Sequence, residues 1–166
     1  KDGLKLWNTM LEAGKPYNIS PAGPSLIRRL EHGIRNYGQD IRLDNNPYEV
    51  GLGFAVDLNQ EADFVGKESL TQIKKEGLKK KLVGIEFGTE RMKGWNEDYW
   101  PVIENDKQIG QVTTAAYSPS LKKNIGYAML PIERTEIGTK ITILARGDET
   151  GATVIKEPFV RGREKQ

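Results

Sequence analysis

No cysteine occurs among the 166 residues, which excludes disulfides, thiolate-held metal and a cysteine nucleophile. Histidine occurs once, at His32, so a histidine dyad or a histidine-built metal centre is excluded as well. No apolar run approaches the roughly 20 residues of a membrane span, and no secretory leader pattern opens the chain. No membrane partner is therefore expected. An excess of one charge is also missing: 25 Lys and Arg face 23 Asp and Glu, a net +2. That balance is too even to argue for nucleic acid. The absence of cysteine fits a cytoplasmic location.

What is present reads as an ordinary globular chain, 37% hydrophobic and 29% charged. A domain of about 150 residues buries roughly 70% of its unfolded surface, so a core needs no covalent staples. The chain begins KDGLKLW, without an initiator methionine, and enters a helical pattern at once. Part of a longer protein is the expected reading.

Leu4, Trp7, Met10 and Leu11 recur at helical spacing, and Gly14-Lys15-Pro16 is a stop signal. A second helix is predicted from about Pro24, with Ser25 at its cap or first turn. Its buried stripe would be Leu26, Ile27, Leu30, Ile34 and Tyr37, and Gly38 would close it in a left-handed cap. Arg28, Arg29, Glu31 and Arg35 fall on its other faces. A third helix fits Gly66 to Glu76, with Leu70 and Ile73 inward and Gly77 as its stop.

From residue 80 the period changes. KLVGIEF (81–87), WPVI (100–103), QIGQVTTAAY (108–117), NIGYAML (124–130), TKITILA (139–145) and GATVIKEPFV (151–160) are short and rich in β-branched residues. Turn-formers separate them: END at 104–106, SPS at 118–120 and GDETG at 147–151. Closely spaced short strands predict a compact antiparallel barrel or sandwich. The fold class is α+β, helices first and then a small all-β module.

Few residues offer chemistry. His32 beside Glu31 on a helix suits a surface or packing role better than acid–base work. GLGF (51–54) lacks the further glycine and the strand–turn–helix context of a phosphate loop. KKEGLKKK (74–81) straddles a helix end, where cations face the macrodipole. Arg28 and Glu31, three apart, are placed to pair, which leaves Arg29 for a neighbouring domain or an anionic ligand. Trp95, Tyr99, Trp100, Tyr117 and Tyr127 form an aromatic set. They could line a site for a planar heterocycle, or serve as barrel core and rim; Tyr117 and Tyr127 suit the core.

The blocks RLEHGIRNYGQDI (29–41), NPYEVGLGFAV (47–56), DFVGKESL (63–70), GQVTTAAYSPSLKKNIGYAML (110–130) and EPFV (157–160) occur in this order. Together they resemble the glycine-cleavage T-protein superfamily of tetrahydrofolate-dependent one-carbon transferases. PAGPSLIRRLEHG and EDYWPVIENDKQIGQVTTAAYSP are similar to dimethylsulfoniopropionate demethylase within that superfamily. The resemblance implies a division at residue 65. Residues 1–65 would be the remnant of a truncated folate-binding domain, and residues 66–166 a C-terminal antiparallel, Greek-key-like β-barrel. It also implies tetrahydrofolate as cofactor, a small-molecule methyl donor, and the missing N-terminal half of the same protein as partner. Arg29, Glu31, Tyr37 and Tyr48 become candidate folate-binding or domain-wall residues.

Departures from the family pattern matter as well. The catalytic aspartate and folate-binding glutamate of T-proteins belong to the N-terminal half, so no catalytic residue and no metal site is expected in this chain. T-proteins place an arginine four residues before that of the RLE block; here the position is Ser25. A tyrosine that follows the closing PFV in some members falls at Glu164. The expected function is the C-terminal part of a methyltransferase moving a methyl group to N5 of tetrahydrofolate, inactive alone. The alternatives are a glycine cleavage system T-protein, an aminomethyltransferase, or a non-catalytic binding or interdomain module.

Overall fold

The computed structural model describes residues 2–160; Glu164 lies outside them. Helix α1 spans Gly3–Gly14, α2 Leu26–Glu31 and α3 Lys67–Glu76. Six strands follow: β1 Lys80–Phe87, β2 Trp100–Glu104, β3 Lys107–Ser118, β4 Lys123–Pro131, β5 Lys140–Ala145 and β6 Asp148–Ile155. They close into an antiparallel barrel in the order β1-β4-β3-β2-β5-β6. β2, β3 and β4 are sequential neighbours and β1 lies beside β4, joined to β2 by the long connection 88–99. That is the Greek-key arrangement. The α+β reading and the antiparallel barrel are therefore correct. Among the described residues no helix is long and apolar enough to cross a membrane.

Turn chemistry sets the hairpins. Asn105 and Asp106 both take positive φ (49° and 60°), the backbone a two-residue hairpin demands. Arg146 and Gly147 do the same between β5 and β6. The GDETG turn is shorter than expected, because Asp148 to Gly151 already pair with β5. β6 ends at Ile155, so EPFV is not strand but a segment leaving the barrel.

Two apolar clusters share the barrel wall. Val83, Ile85, Val102, Val112, Ala128, Leu130, Ile143 and Val154 fill the interior with Phe87 and Trp100, whose rings meet edge to face at 5.9 Å. Leu82, Ala116, Ile125, Tyr127 and Met129 point outward and pack on Leu30 and Val50. β4 is thus buried on both faces from Asn124 to Leu130, which its unbroken apolar run requires.

The second helix is much shorter than its periodicity predicts. Ser25 caps it, its Oγ accepting from the Arg28 N–H at 3.3 Å. Gly33 then turns left-handed (φ 76°), with Ile34 N–H donating to Arg29 O (2.9 Å) and Gly33 N–H to Leu30 O (3.1 Å). This is a Schellman ending, five residues before the predicted one. Ile34 and Tyr37, assigned to the buried stripe, are consequently 58% and 66% exposed. α1 and α3 form as predicted, and Gly77 ends α3 at φ 86°. α1, however, leaves Leu4, Leu6, Trp7 and Met10 exposed.

Candidate functional site

α2 and the turns after it lie across β3 and β4, and a polar network fastens them there. Arg29 Nη1 donates to Asp40 Oδ2 (2.6 Å) and Ile34 O (3.2 Å), while Nη2 donates to Gln39 Oε1 (3.0 Å) and Thr114 Oγ1 (3.1 Å). All four terminal N–H groups of the guanidinium have partners within the chain. Asp40 is 1% exposed and also accepts from Thr113 Oγ1 (2.7 Å), Thr114 Oγ1 (2.6 Å) and the Asn36 N–H (2.9 Å).

Adjacent strand residues normally face opposite sides of a sheet. Thr113 and Thr114 both reach Asp40 because β3 bulges between Val112 and Thr114. Tyr99 adds a clasp from the barrel, its hydroxyl donating to Gln39 O at 2.9 Å.

Glu31 does not pair with Arg28. It is 5% exposed and accepts from Ser118 Oγ (2.5 Å) and Ser120 Oγ (3.2 Å) at the end of β3. Helical spacing allowed the Arg28 pair, but a buried carboxylate takes the hydroxyls aimed at it from the barrel. Arg28 stays exposed. His32 is exposed too, its Nδ1 2.9 Å from Arg28 O, a surface role.

A second cluster involves residues that helical spacing had turned outward. Arg35 Nη1 donates to Gly33 O and Nη2 to Glu157 Oε1, each at 2.6 Å, and the guanidinium lies 5.2 Å above the Tyr127 ring. Phe159 packs on the same ring at 5.7 Å, its edge filling the space a side chain at Gly84 would occupy. Val160 N–H donates to Glu31 O (2.9 Å). Residues 157–160 therefore strap α2 to the barrel. Burial raises the Glu157 pKa against the pull of Arg35 and Lys81; burial raises that of Tyr127 as well. Arg35 Nε, Tyr48 Oη, Tyr127 Oη and Glu157 Oε2 are buried without hydrogen-bond partners among the described residues.

The four candidates separate accordingly. Arg29 and Glu31 join the α2–β3 contact, Tyr48 is half-buried against Gly53, and Tyr37 stands exposed away from the network. Sequence reading missed Asp40, Thr113, Thr114 and Glu157. The paired threonines in an apolar strand were the one available signal.

Beside the capped start of α2 opens a cavity of about 270 Å³, lined by Ser25, Leu26, Ile27, Met92, Trp95 and Tyr117 among others. Arg91 also borders it, its guanidinium 4.8 Å from the Tyr117 ring centroid. Asn124, 4% exposed, holds the backbone on both sides of Arg91, accepting from Met92 N–H (3.0 Å) and donating to Glu90 O (2.7 Å). An oriented arginine over an aromatic, in an otherwise apolar recess, suits a planar ligand carrying an anionic group. Of the aromatic set, Trp95 and Tyr117 line this recess, while Trp100 and Tyr127 are core. Among the described residues no three histidine or carboxylate side chains converge as a metal site.

The glycine cleavage T-protein C-terminal barrel domain matches residues 80–161, and the N-terminal domain of the same proteins matches residues 1–60. An aminomethyltransferase from Geobacillus sp. (strain WCH70) is 42% identical over 163 residues, 97% of this chain and 44% of the relative. Those of Bacillus subtilis (strain 168) and Symbiobacterium thermophilum are 38% and 36% identical, covering 96% and 100% of this chain and 44% of each relative. The chain thus spans less than half the length of these curated relatives. The crystal structure of glycine cleavage system aminomethyltransferase T from Bartonella henselae superposes with a TM-score of 0.73 at 26% identity, over 81% of this chain and 37% of that one.

Proposed function

Because this chain belongs to the glycine cleavage T-protein family, we propose that in the complete protein it serves a tetrahydrofolate-dependent aminomethyltransferase. The observation that carries this is the match to aminomethyltransferases along 97% of the chain at up to 42% identity. The demethylase reading expected from the sequence is thereby displaced to second place. Residues 1–65 would complete a folate-binding domain whose larger part lies outside this chain, and residues 66–166 would be the barrel domain. A cytoplasmic location goes with this reading.

The roles follow from the geometry. Arg29, with every terminal donor engaged inside the chain, is a wall residue that fixes α2 on β3. Glu31 fixes the end of the same helix. The recess beside Ser25 would form one side of the ligand site, with Arg91 for a carboxylate and Trp95 and Tyr117 for a ring. Tyr37, exposed outside this network, would be covered by the rest of the folate-binding domain. Among the described residues, none of those lining the recess forms an acid–base pair. The chain's contribution is alignment of the transferring carbon with the folate nitrogen, an orientation effect.

One observation supports the second reading, a sulfonium methyl donor. Ser25 stands where the T-protein pattern has an arginine, and its hydroxyl is engaged in capping α2. A sulfonium leaves as a neutral thioether and needs little activation. The test is donor choice by the protein expressed from its complete gene. Tetrahydrofolate-dependent release of ammonia from an aminomethylated lipoyl carrier supports aminomethyl transfer. Methyl transfer from dimethylsulfoniopropionate alone would replace it with the demethylase reading. Neither activity, in a folded protein, would leave a non-catalytic module.

A further inference from the structure

The recess beside α2 has two side walls, and both are hung on the same irregularity in β3. One wall is the start of α2, with Ser25, Leu26 and Ile27. The other is the connection 88–99, with Arg91, Met92, Gly94 and Trp95. Regular pairing of β2 with β3 ends at Trp100 and Val112, just before the bulge at Thr113. Beyond it, the connection meets β3 again only at the isolated bridge between Trp95 and Ala116. Thr113, Thr114 and Ala115 lie between these points and are buried, so the backbone groups that the ladder leaves free need other partners.

Asn96 supplies them. Its N–H donates to Ala115 O (3.3 Å), its Oδ1 accepts from Ala115 N–H (2.6 Å) and its Nδ2 donates to Thr113 O (3.2 Å). The carboxamide thus stands in for a peptide of the interrupted strand. Nδ2 also donates to Asp98 O (3.0 Å), which leads the chain on toward β2. Asn96 is 3% exposed, whereas Trp95 beside it is 56% exposed on the recess wall. A half-exposed ring has little packing to orient it, so its place follows from the backbone that carries it. The same bulge turns the Thr113 and Thr114 hydroxyls to Asp40, which holds α2. Residues 113–115 therefore set both walls relative to each other.

Resting on the reading of the recess as one side of the folate site, we propose that Asn96 is a positioning residue for that site. It does not line the recess. It fixes the backbone of Trp95 on β3 so that the indole meets the planar part of the folate.

The test is a double-mutant cycle on the Kd for tetrahydrofolate, using the protein expressed from its complete gene. Trp95→Ala should weaken binding about tenfold, the worth of one aromatic contact. Asn96→Ala should weaken it by a similar factor. Together they should still weaken it only about tenfold, because a ring that is absent cannot be misplaced. A general loosening of the recess would add to the loss of the ring, so a combined effect of about a hundredfold would overturn the proposal. Wild-type affinity in either single variant would overturn it too, while leaving the folate reading intact. Should Asn96→Ala not fold, Asn96→Asp takes its place in the cycle, keeping the acceptor for Ala115 N–H and losing the donors. Failure of both to fold would overturn the proposal, making Asn96 a residue of the core only. Absence of tetrahydrofolate binding in the wild type would remove the folate reading itself, and the positioning role with it.

Discussion

Arg29 and Arg35 are six residues apart and both touch buried partners, yet they respond to substitution differently. Arg29 faces a carboxylate whose side chain is fully buried. Removing it leaves Asp40 with two hydroxyls and one amide, so Arg29→Ala should cost about 3–5 kcal/mol in urea unfolding. Arg29→Lys should recover little, because one ammonium cannot span Asp40, Gln39 and Thr114.

At Glu157 burial outweighs Arg35, so its folded pKa stands above the unfolded value. Such a group contributes stability that is present below the unfolded pKa, near 4.5, and lost as pH rises through the folded one. Glu157→Gln should therefore flatten that part of the stability–pH curve and be close to neutral at pH 7. Arg35→Met, which strands the carboxylate, should cost about 3 kcal/mol there. Equal losses from both variants would show the pair to be net stabilising instead.

At the scale of elements, α2 is six residues long, too short to persist by propensity alone. It exists because Ser25 caps it, Gly33 ends it and Leu30 is fully buried against the barrel. A side chain at residue 33 would be strained at φ 76° and would approach Pro158 Cβ to 3.3 Å. Gly33→Ala should lose at least about 1–2 kcal/mol from the backbone alone. It should also raise exchange of the Val160 amide, which bonds to Glu31 O. If exchange rises only within α2, the strap does not depend on the turn.

At the scale of the whole molecule, exchange should divide the chain unevenly. The closed barrel leaves no free edge, and α2 is fastened to it by charge pairs, hydroxyls and the 157–160 strap. Slow amides are expected from residue 80 to 155 and through α2 as well, with fast exchange in α1 and in α3, which has no buried residue. The helical pattern alone suggests that both leading helices are loose; packing shows that only α1 stands apart, in contact chiefly with the turn after it. Fast exchange in α2 would mean that its network is too weak to hold it without the rest of a longer chain.

The barrel was legible because its signals are local. β-branched runs, positive-φ turn residues such as Asn105 and Asp106, and the two-sided apolar run of β4 lie within a few residues of what they specify. The length of α2 was not. Ile34 and Tyr37 continue the helical spacing, and nothing in RLEHGIRNYG distinguishes a glycine that ends a helix at 33 from one that ends it at 38. The wall residues were even less accessible. Arg29 meets Thr114 across 85 positions, and Arg35 meets Glu157 across 122. Glu31 chose two serines over the arginine one turn away because burial makes a carboxylate depend on the donors the fold aims at it. Which polar groups would converge was decided only when the closing barrel and its bulged third strand brought them to one place.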